Sequence, residues 1–219
     1  MRTIITIGRQ YGSGGHQIGK ILSDEYGIGY YDKELLDRAA KESGIGKELF
    51  ENQDEKPTSS FLYSLVMDTY SFGLGASPLS DMPLNQKVFL AQFNAIRKIA
   101  DEGACVMIGR CSDYALAENP NLLSIYIRAD MQTRIRRIAA KYDLTDAKAK
   151  ERIQKTDKKR ASYYNYYTSK RWGDADSYHL TLDSGILGIQ GCVDTIKKVV
   201  EWKEKSDIDK QMIYDATKY

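Results

Sequence analysis

The first glycine-rich turn restricts this chain more than any other segment. Thr3-Ile4-Ile5-Thr6-Ile7 is a β-branched run that reads as a buried strand, and it leads into Gly8-Arg9-Gln10-Tyr11-Gly12-Ser13-Gly14-Gly15-His16-Gln17-Ile18-Gly19. From His16 onward the apolar positions Ile18, Ile21, Leu22 and Tyr26 fall at helical spacing, and Gly27 stands where a helix C-cap belongs. Strand, glycine turn and helix in that order suit phosphate chemistry. Glycines let backbone N–H groups converge on an anion, and the start of the following helix adds unpaired donors and a positive dipole. Gly12, Ser13 and Gly14 are expected to form the cradle, with Gly15, His16 and Gln17 completing the phosphate-binding set.

Strands continue to alternate with helices. Ile28 to Tyr31 reads as a short strand, with Asp32 placed to cap a helix carrying Leu35, Leu36, Ala39 and Ala40. A helix over residues 86–102 closes at Gly103, and Ala104 to Ile108 reads as a central strand ending at Gly109-Arg110. Leu122 to Ile127 is a further strand, followed by a helix through Met131, Ile135 and Ile138. Thr145 caps a second basic helix that runs through Ile153 toward Tyr163 and Tyr164. Tyr166, Tyr167 and Trp172 extend the aromatic cluster, whose expected role is packing. His179 to Leu182 is the last strand, and Ile189, Val193, Ile196 and Val200 stripe a closing helix. This order predicts an α/β fold: a doubly wound, mostly parallel five-stranded sheet with helices on both faces. One domain is expected over residues 1–202, with a charged tail at 203–219.

Two segments stand apart. Between residues 45 and 85 the periodicity weakens, and Pro57, Pro78, Pro83, Gly73 and Gly75 surround one helix through Phe61, Leu62, Leu65 and Val66. This reads as a substrate-facing insert. Residues 145–172 read as a basic lid. From Arg134 to Arg171 the chain carries 13 Lys/Arg against 4 Asp/Glu, although the whole chain has a net charge of only +2. Such a segment faces anions.

Composition removes several function classes. At 219 residues and 42% hydrophobic, the chain can bury one sizeable core. It has no apolar stretch near the roughly 20 residues of a membrane helix and no leader pattern, so a cytoplasmic protein is expected. Cys105, Cys111 and Cys192 lack zinc-ligand spacing, and His16 and His179 are the only histidines. A metal would need oxygen ligands, which suits magnesium arriving with phosphate. Nucleic acid is disfavoured as a partner because most of the basic residues lie on helices beside the phosphate turn.

The Arg-Gln-Tyr-Gly-Ser-Gly-Gly turn resembles the phosphate loop of the cytidylate-kinase-like family, within the P-loop nucleoside monophosphate kinases. Tyr30-Tyr31-Asp32 resembles the acceptor-side strand end, Gly109-Arg110 the Gly-Arg after the third strand, and Asp157 to Tyr164 the basic lid. Arg171-Trp172-Gly173-Asp174 also follows that family's pattern. The resemblance implies transfer of a phosphoryl group from ATP, with Mg2+, to a nucleoside monophosphate, CMP or dCMP being the leading acceptor. Asp32 and Arg110 would hold the acceptor and Asp113 its base or sugar. Lys158, Lys159 and Arg160, with Arg134 and Arg137, would close over the transferring group. Two positions depart from the pattern. Gly15 stands where a P-loop places its lysine, with Gln17 aligned to the magnesium-binding hydroxyl, and Ile108 stands where an acidic metal partner is common. Arg9 and the lid cations are the available replacements for the lysine, and Ser13 or Asp113 for the metal contacts. A same-fold kinase for another small molecule and a nucleotide sensor without turnover are the alternatives.

Overall fold

The structure is a computed structural model, and it describes residues 1–46, 48 and 83–216, with side chains to residue 206. The expected helix around Phe61 to Val66 lies outside the described residues. Five strands form one sheet: β1 (Ile4–Arg9), β2 (Gly29–Tyr31), β3 (Cys105–Ile108), β4 (Leu122–Arg128) and β5 (Leu180–Asp183). Their order is β2-β3-β1-β4-β5, and every pair is parallel. Ile5 lies between Val106 and Leu123, and Ile7 between Ile108 and Ile125, so the β-branched run occupies the sheet's centre.

Among the described residues the helices are α1 (Gly15–Tyr26), α2 (Lys33–Ser43), α3 (Leu84–Glu102), α4 (Ser112–Ala115), α5 (Met131–Tyr142), α6 (Asp146–Thr168) and α7 (Ser184–Ala216). On one face, Leu35, Leu36, Ile96 and Ile99 pack on Ile4 and Met107. On the other, Ile18 and Leu22 of α1 and Val193 and Ile196 of α7 pack on Ile5, Ile7 and Ile125. The alternation of Ile4 and Ile5 between the two clusters is the period of two that a strand imposes.

Local chemistry sets the helix ends. Gly27 and Gly44 adopt φ of 64° and 69° at the C-caps of α1 and α2. Thr145 Oγ1 accepts the Lys148 N–H at the start of α6, as its sequence position requires. Asp32 differs from expectation. It occupies the N-cap position of α2, yet its side chain makes no capping bond and turns instead to Arg110. α7 breaks at Gly188 and then runs on through Lys203, where the sequence suggested that the domain ends.

All five strands run the same way, so the residues that leave their C-terminal ends gather along one edge. That edge is where ligands bind in open parallel sheets. It brings together Arg9, Asp32, Gly109-Arg110, Arg128 and Asp183 from five separate stretches of sequence.

Candidate active site

The glycine turn is shaped from behind. Arg137 of α5 donates from Nη1 to the carbonyls of Gly12 and Ser13 (3.4 and 3.1 Å) and to Ser184 Oγ (2.9 Å). Ser184 Oγ in turn donates to the Ser13 carbonyl at 2.5 Å. A trans peptide sets its N–H opposite its carbonyl, so fixing the Ser13 carbonyl on these donors turns the Gly14 N–H the other way. Gly12 and Gly14 hold φ of 82° and 83°, a region open to glycine and strained for other residues. α1 begins at Gly15, leaving its first N–H groups without partners in the helix.

These donors face a cleft of about 660 Å³ lined by Arg9, Gly12, Gly14, Gly15, His16, Gln17, Asp32 and Arg160 among others. With Arg137, nine of the residues expected from sequence therefore meet in one place. Ser13 does not join them: it is fully buried, and its hydroxyl finds no partner among the described residues. In sequence His16, not Gln17, directly follows Gly15, and its Nε2 lies 3.4 Å from Asp32 Oδ2.

Arg110 sits beside this cleft, 5% exposed, and donates from Nη1 to Asp32 Oδ1 at 2.8 Å and to the Ile108 carbonyl at 3.3 Å. Burial alone would raise the Asp32 carboxyl, but the adjacent Arg110 guanidinium, with Arg9 and His16, holds it below the usual carboxylate range. The turn that presents Arg110 is strained. Gly109, Arg110 and Cys111 take φ of 70°, 54° and 56° in succession, and strain of this kind concentrates at binding sites.

Asp113 lies deeper, beside a space of about 20 Å³, room for one water, that Arg9, Arg110, Arg160, Tyr164 and Tyr178 also line. Tyr164 donates its hydroxyl to Asp113 Oδ2 at 2.6 Å. Burial nevertheless dominates and pushes the Asp113 carboxyl up. The aromatic residues around it are packing, as expected: Tyr163, Tyr164, Tyr167 and Tyr178 form one buried cluster, with Phe89 stacked on Tyr167 at 4.0 Å.

The basic segment divides. Arg160 lines both spaces and donates from Nη1 to the Arg9 carbonyl at 3.4 Å, whereas Lys158 and Lys159 are exposed and line neither. Helical phase carries this signal. Ile153, Asp157, Arg160, Tyr164 and Tyr167 recur at intervals of three and four on the inward face, which excludes positions 158 and 159. Arg134, grouped with the lid by charge, is buried on Asp157. Sequence reasoning missed three groups. Asp157 binds the Tyr11 N–H at 2.7 Å, Ser184 braces the turn, and Gln10 Oε1 accepts the Ala129 N–H at 3.1 Å. Asp157 carried one signal, as a lone acid among Lys155, Lys158, Lys159 and Arg160.

Comparison with known proteins agrees with this layout. The profile of the Cytidylate kinase-like family matches residues 4–186. The chain is 24% identical to a cytidylate kinase of Methanococcus vannielii, over 90% of this chain and 99% of that protein. An uncharacterized protein from Eubacterium ventriosum superposes with a TM-score of 0.69 at 29% identity, covering 91% of this chain and 99% of the other. A shikimate kinase from Bacteroides thetaiotaomicron shares the fold, with a TM-score of 0.50 at 11% identity, covering 92% and 99%. Parallel sheet, glycine turn, strand-end arginine and family profile agree over the same residues, and the chain belongs to the cytidylate kinase-like family.

Proposed function

We propose that this protein transfers the γ-phosphoryl group of ATP to a nucleoside monophosphate, CMP or dCMP. The observation that carries the reading is the adjacency of two unlike anion sites on one sheet edge. The Gly12–Gly14 turn and the start of α1 offer backbone donors on one side, and the buried Arg110, fixed by Asp32, offers a planar fork on the other. Family membership supports a kinase of nucleotides or small molecules, and the Methanococcus cytidylate kinase supports CMP as the acceptor.

Magnesium fits this site as an ion carried by the phosphates. Among the described residues no cluster of three His, Cys, Asp or Glu side chains could cage it. Among the described residues Asp32 is the one carboxylate lining the cleft, and it is the residue that would hold the ion, since phosphate-bound magnesium needs only one or two protein carboxylates. Ser13 and Asp113 suit it poorly, one buried off the cleft and the other engaged by Tyr164 with its carboxyl pushed up. When bound, magnesium neutralises the β- and γ-phosphate oxygens.

The remaining work falls to the chain. The Gly14 N–H and the first N–H groups of α1 hold the triphosphate, Arg110 grips the acceptor phosphate, and Arg160 brings positive charge from α6 over both. Tyr164, Tyr178 and Trp172 wall the small space beside Arg110 and leave room there for one water, which limits the water near the acceptor side. Phosphoryl transfer needs little more than position and charge neutralisation. Among the described residues no helix is long and apolar enough to cross a membrane.

The test is a panel of nucleoside monophosphates and small alcohols supplied with ATP and Mg2+. CMP or dCMP should give the highest kcat/KM, and a different preferred acceptor would replace that part of the reading. Gly15 at the lysine position favours a second reading, a nucleotide sensor. ATP binding with no transfer to any acceptor would select it.

A further inference from the structure

We propose that Arg9 takes the place of the phosphate-loop lysine, and that Gly15 is glycine because the side chain at position 9 needs its space. This rests on the kinase reading above and names the cation at its phosphate site.

Arg9 is the last residue of β1, and its side chain runs past the first residue of α1 and then over the turn after β3. A Cβ built on Gly15 would lie 2.7 Å from Arg9 Cβ and 3.2 Å from its Cγ. A Cβ on Gly109 would lie 1.9 Å from Arg9 Nη1 and 2.9 Å from its Cζ. Gly109, at φ 70°, also has a backbone reason to be glycine. Gly15 has none, for it opens a right-handed helix without a positive φ. What Gly15 provides is room for the first two methylenes of Arg9. The shorter contact is with Arg9 Cβ, which the backbone fixes, so on this backbone a lysine at position 15 excludes any side chain at position 9, and only glycine there would make room for it.

The guanidinium ends where a transferring phosphate needs charge. Arg9 lines both the large cleft at the glycine turn and the small space at Arg110, so it stands between the donor and acceptor sides. Its charge reaches Asp32, which it helps to keep ionised. Lys33 and Lys141 also line the large cleft but not the small space at Arg110, and the other cations expected from sequence fit less well. Arg137 is committed to the turn's carbonyls, and Lys158 and Lys159 line neither space. Arg160 reaches the site but is anchored on the Arg9 carbonyl, which makes it the second cation. A planar fork at this point can bridge a β- and a γ-phosphate oxygen, two contacts for one side chain.

A swap tests the idea with four variants: Arg9→Ala, Arg9→Lys, Gly15→Lys, and the double Arg9→Gly/Gly15→Lys. Steady-state turnover is measured for each, together with the melting shifts produced by ATP and by AMP, and circular dichroism checks folding. Arg9→Ala should lower turnover at least about tenfold and shrink the ATP shift toward the AMP shift, because the contact is with the outer phosphates. Arg9→Lys should fall between it and the parent. Gly15→Lys alone should lose both stability and turnover. The double variant, with the side chain moved to the other wall, should exceed both Arg9→Ala and Gly15→Lys in turnover and in ATP shift. The proposal is overturned if Arg9→Ala keeps the parent's turnover and ATP shift. It is equally overturned if Gly15→Lys matches the parent, or if a folded double variant does no better than the singles. If Arg9→Ala fails to fold, Arg9→Lys and the double variant decide. A parent that binds ATP but phosphorylates nothing defeats the kinase reading while the ATP-against-AMP comparison still judges Arg9. A parent that binds no ATP defeats both.

Discussion

The Asp157 carboxylate ties α6 to the phosphate turn, accepting the Tyr11 N–H on Oδ1 at 2.7 Å while Oδ2 takes Arg134 Nη1 at 2.5 Å. Arg134 and Asp157 are 7% and 17% exposed, so the pair is largely shielded from water. Removing one partner of a shielded pair strands the other charge. Asp157→Ala should destabilise the protein by about 3 kcal/mol in denaturant unfolding. Asp157→Asn strands Arg134 equally but can still accept the Tyr11 N–H, so it should recover about 1 kcal/mol of that loss. Equal losses in the two variants would show that the Tyr11 bond contributes nothing.

The glycine turn makes a second prediction. Gly14→Ala places its Cβ 2.3 Å from Ile189 Cδ1 and forces alanine to φ 83°. The backbone alone costs about 1 to 2 kcal/mol. Adding Ile189→Ala relieves the side-chain contact and leaves the backbone cost. Gly14→Ala should therefore cost less stability in the Ile189→Ala background than in the parent. The double variant's melting shift with ATP should stay below that of Ile189→Ala alone, because the turn no longer fits phosphate. A full ATP shift in the double variant would remove Gly14 from the cradle.

Much of this architecture was legible in sequence because its signals are local. The run Thr3 to Ile7 leads into the strand at the sheet centre, and the caps at Gly27 and Thr145 stand where single residues placed them. What escaped was carried by distance or by competition. Asp157 meets Tyr11 across 146 residues, and an acid in a basic helix ordinarily reads as solvated. Asp32 has the composition and position of an N-cap, but a buried guanidinium outcompetes the helix for its carboxylate. Gly15 announced a missing lysine without revealing its cause, since the side chain that fills the space starts six residues earlier on another element.

On the proposed reading, Arg110 separates acceptor from donor. Arg110→Lys keeps the positive charge but loses the planar fork that can bond Asp32 and an acceptor phosphate together. Acceptor kcat/KM should fall about tenfold, roughly 1.4 kcal/mol, while the ATP melting shift stays within experimental error of the parent. An equal loss of ATP binding would move Arg110 to the donor side.

Asp113 gives a pH signature. Its carboxyl is pushed up from 3.8, chiefly by burial, which outweighs the favourable hydrogen bond from Tyr164. The sign follows from linkage. Below the unfolded value the group is protonated in both states, and its contribution to stability is fully present. As pH rises past 3.8 the unfolded chain ionises first, so stability is lost until the folded carboxyl also gives up its proton. Asp113→Asn cannot ionise but still offers an oxygen to the Tyr164 hydroxyl. The difference in unfolding free energy, variant minus parent, should therefore grow as pH is raised from about 4 toward neutrality and then level off where Asp113 ionises in the folded protein. Urea unfolding of both proteins across that range measures the difference directly. A flat difference would mean that Asp113 titrates alike in the folded and unfolded chains, and that burial in the Tyr164 pocket leaves its proton unaffected. If the difference grows as expected, Asp113 is a neutral acid below that pH, and an acceptor that contacts it, as the family resemblance implies, would meet a group able both to donate and to accept a hydrogen bond. The acceptor's KM should then rise as pH passes the level at which the variant-minus-parent curve flattens.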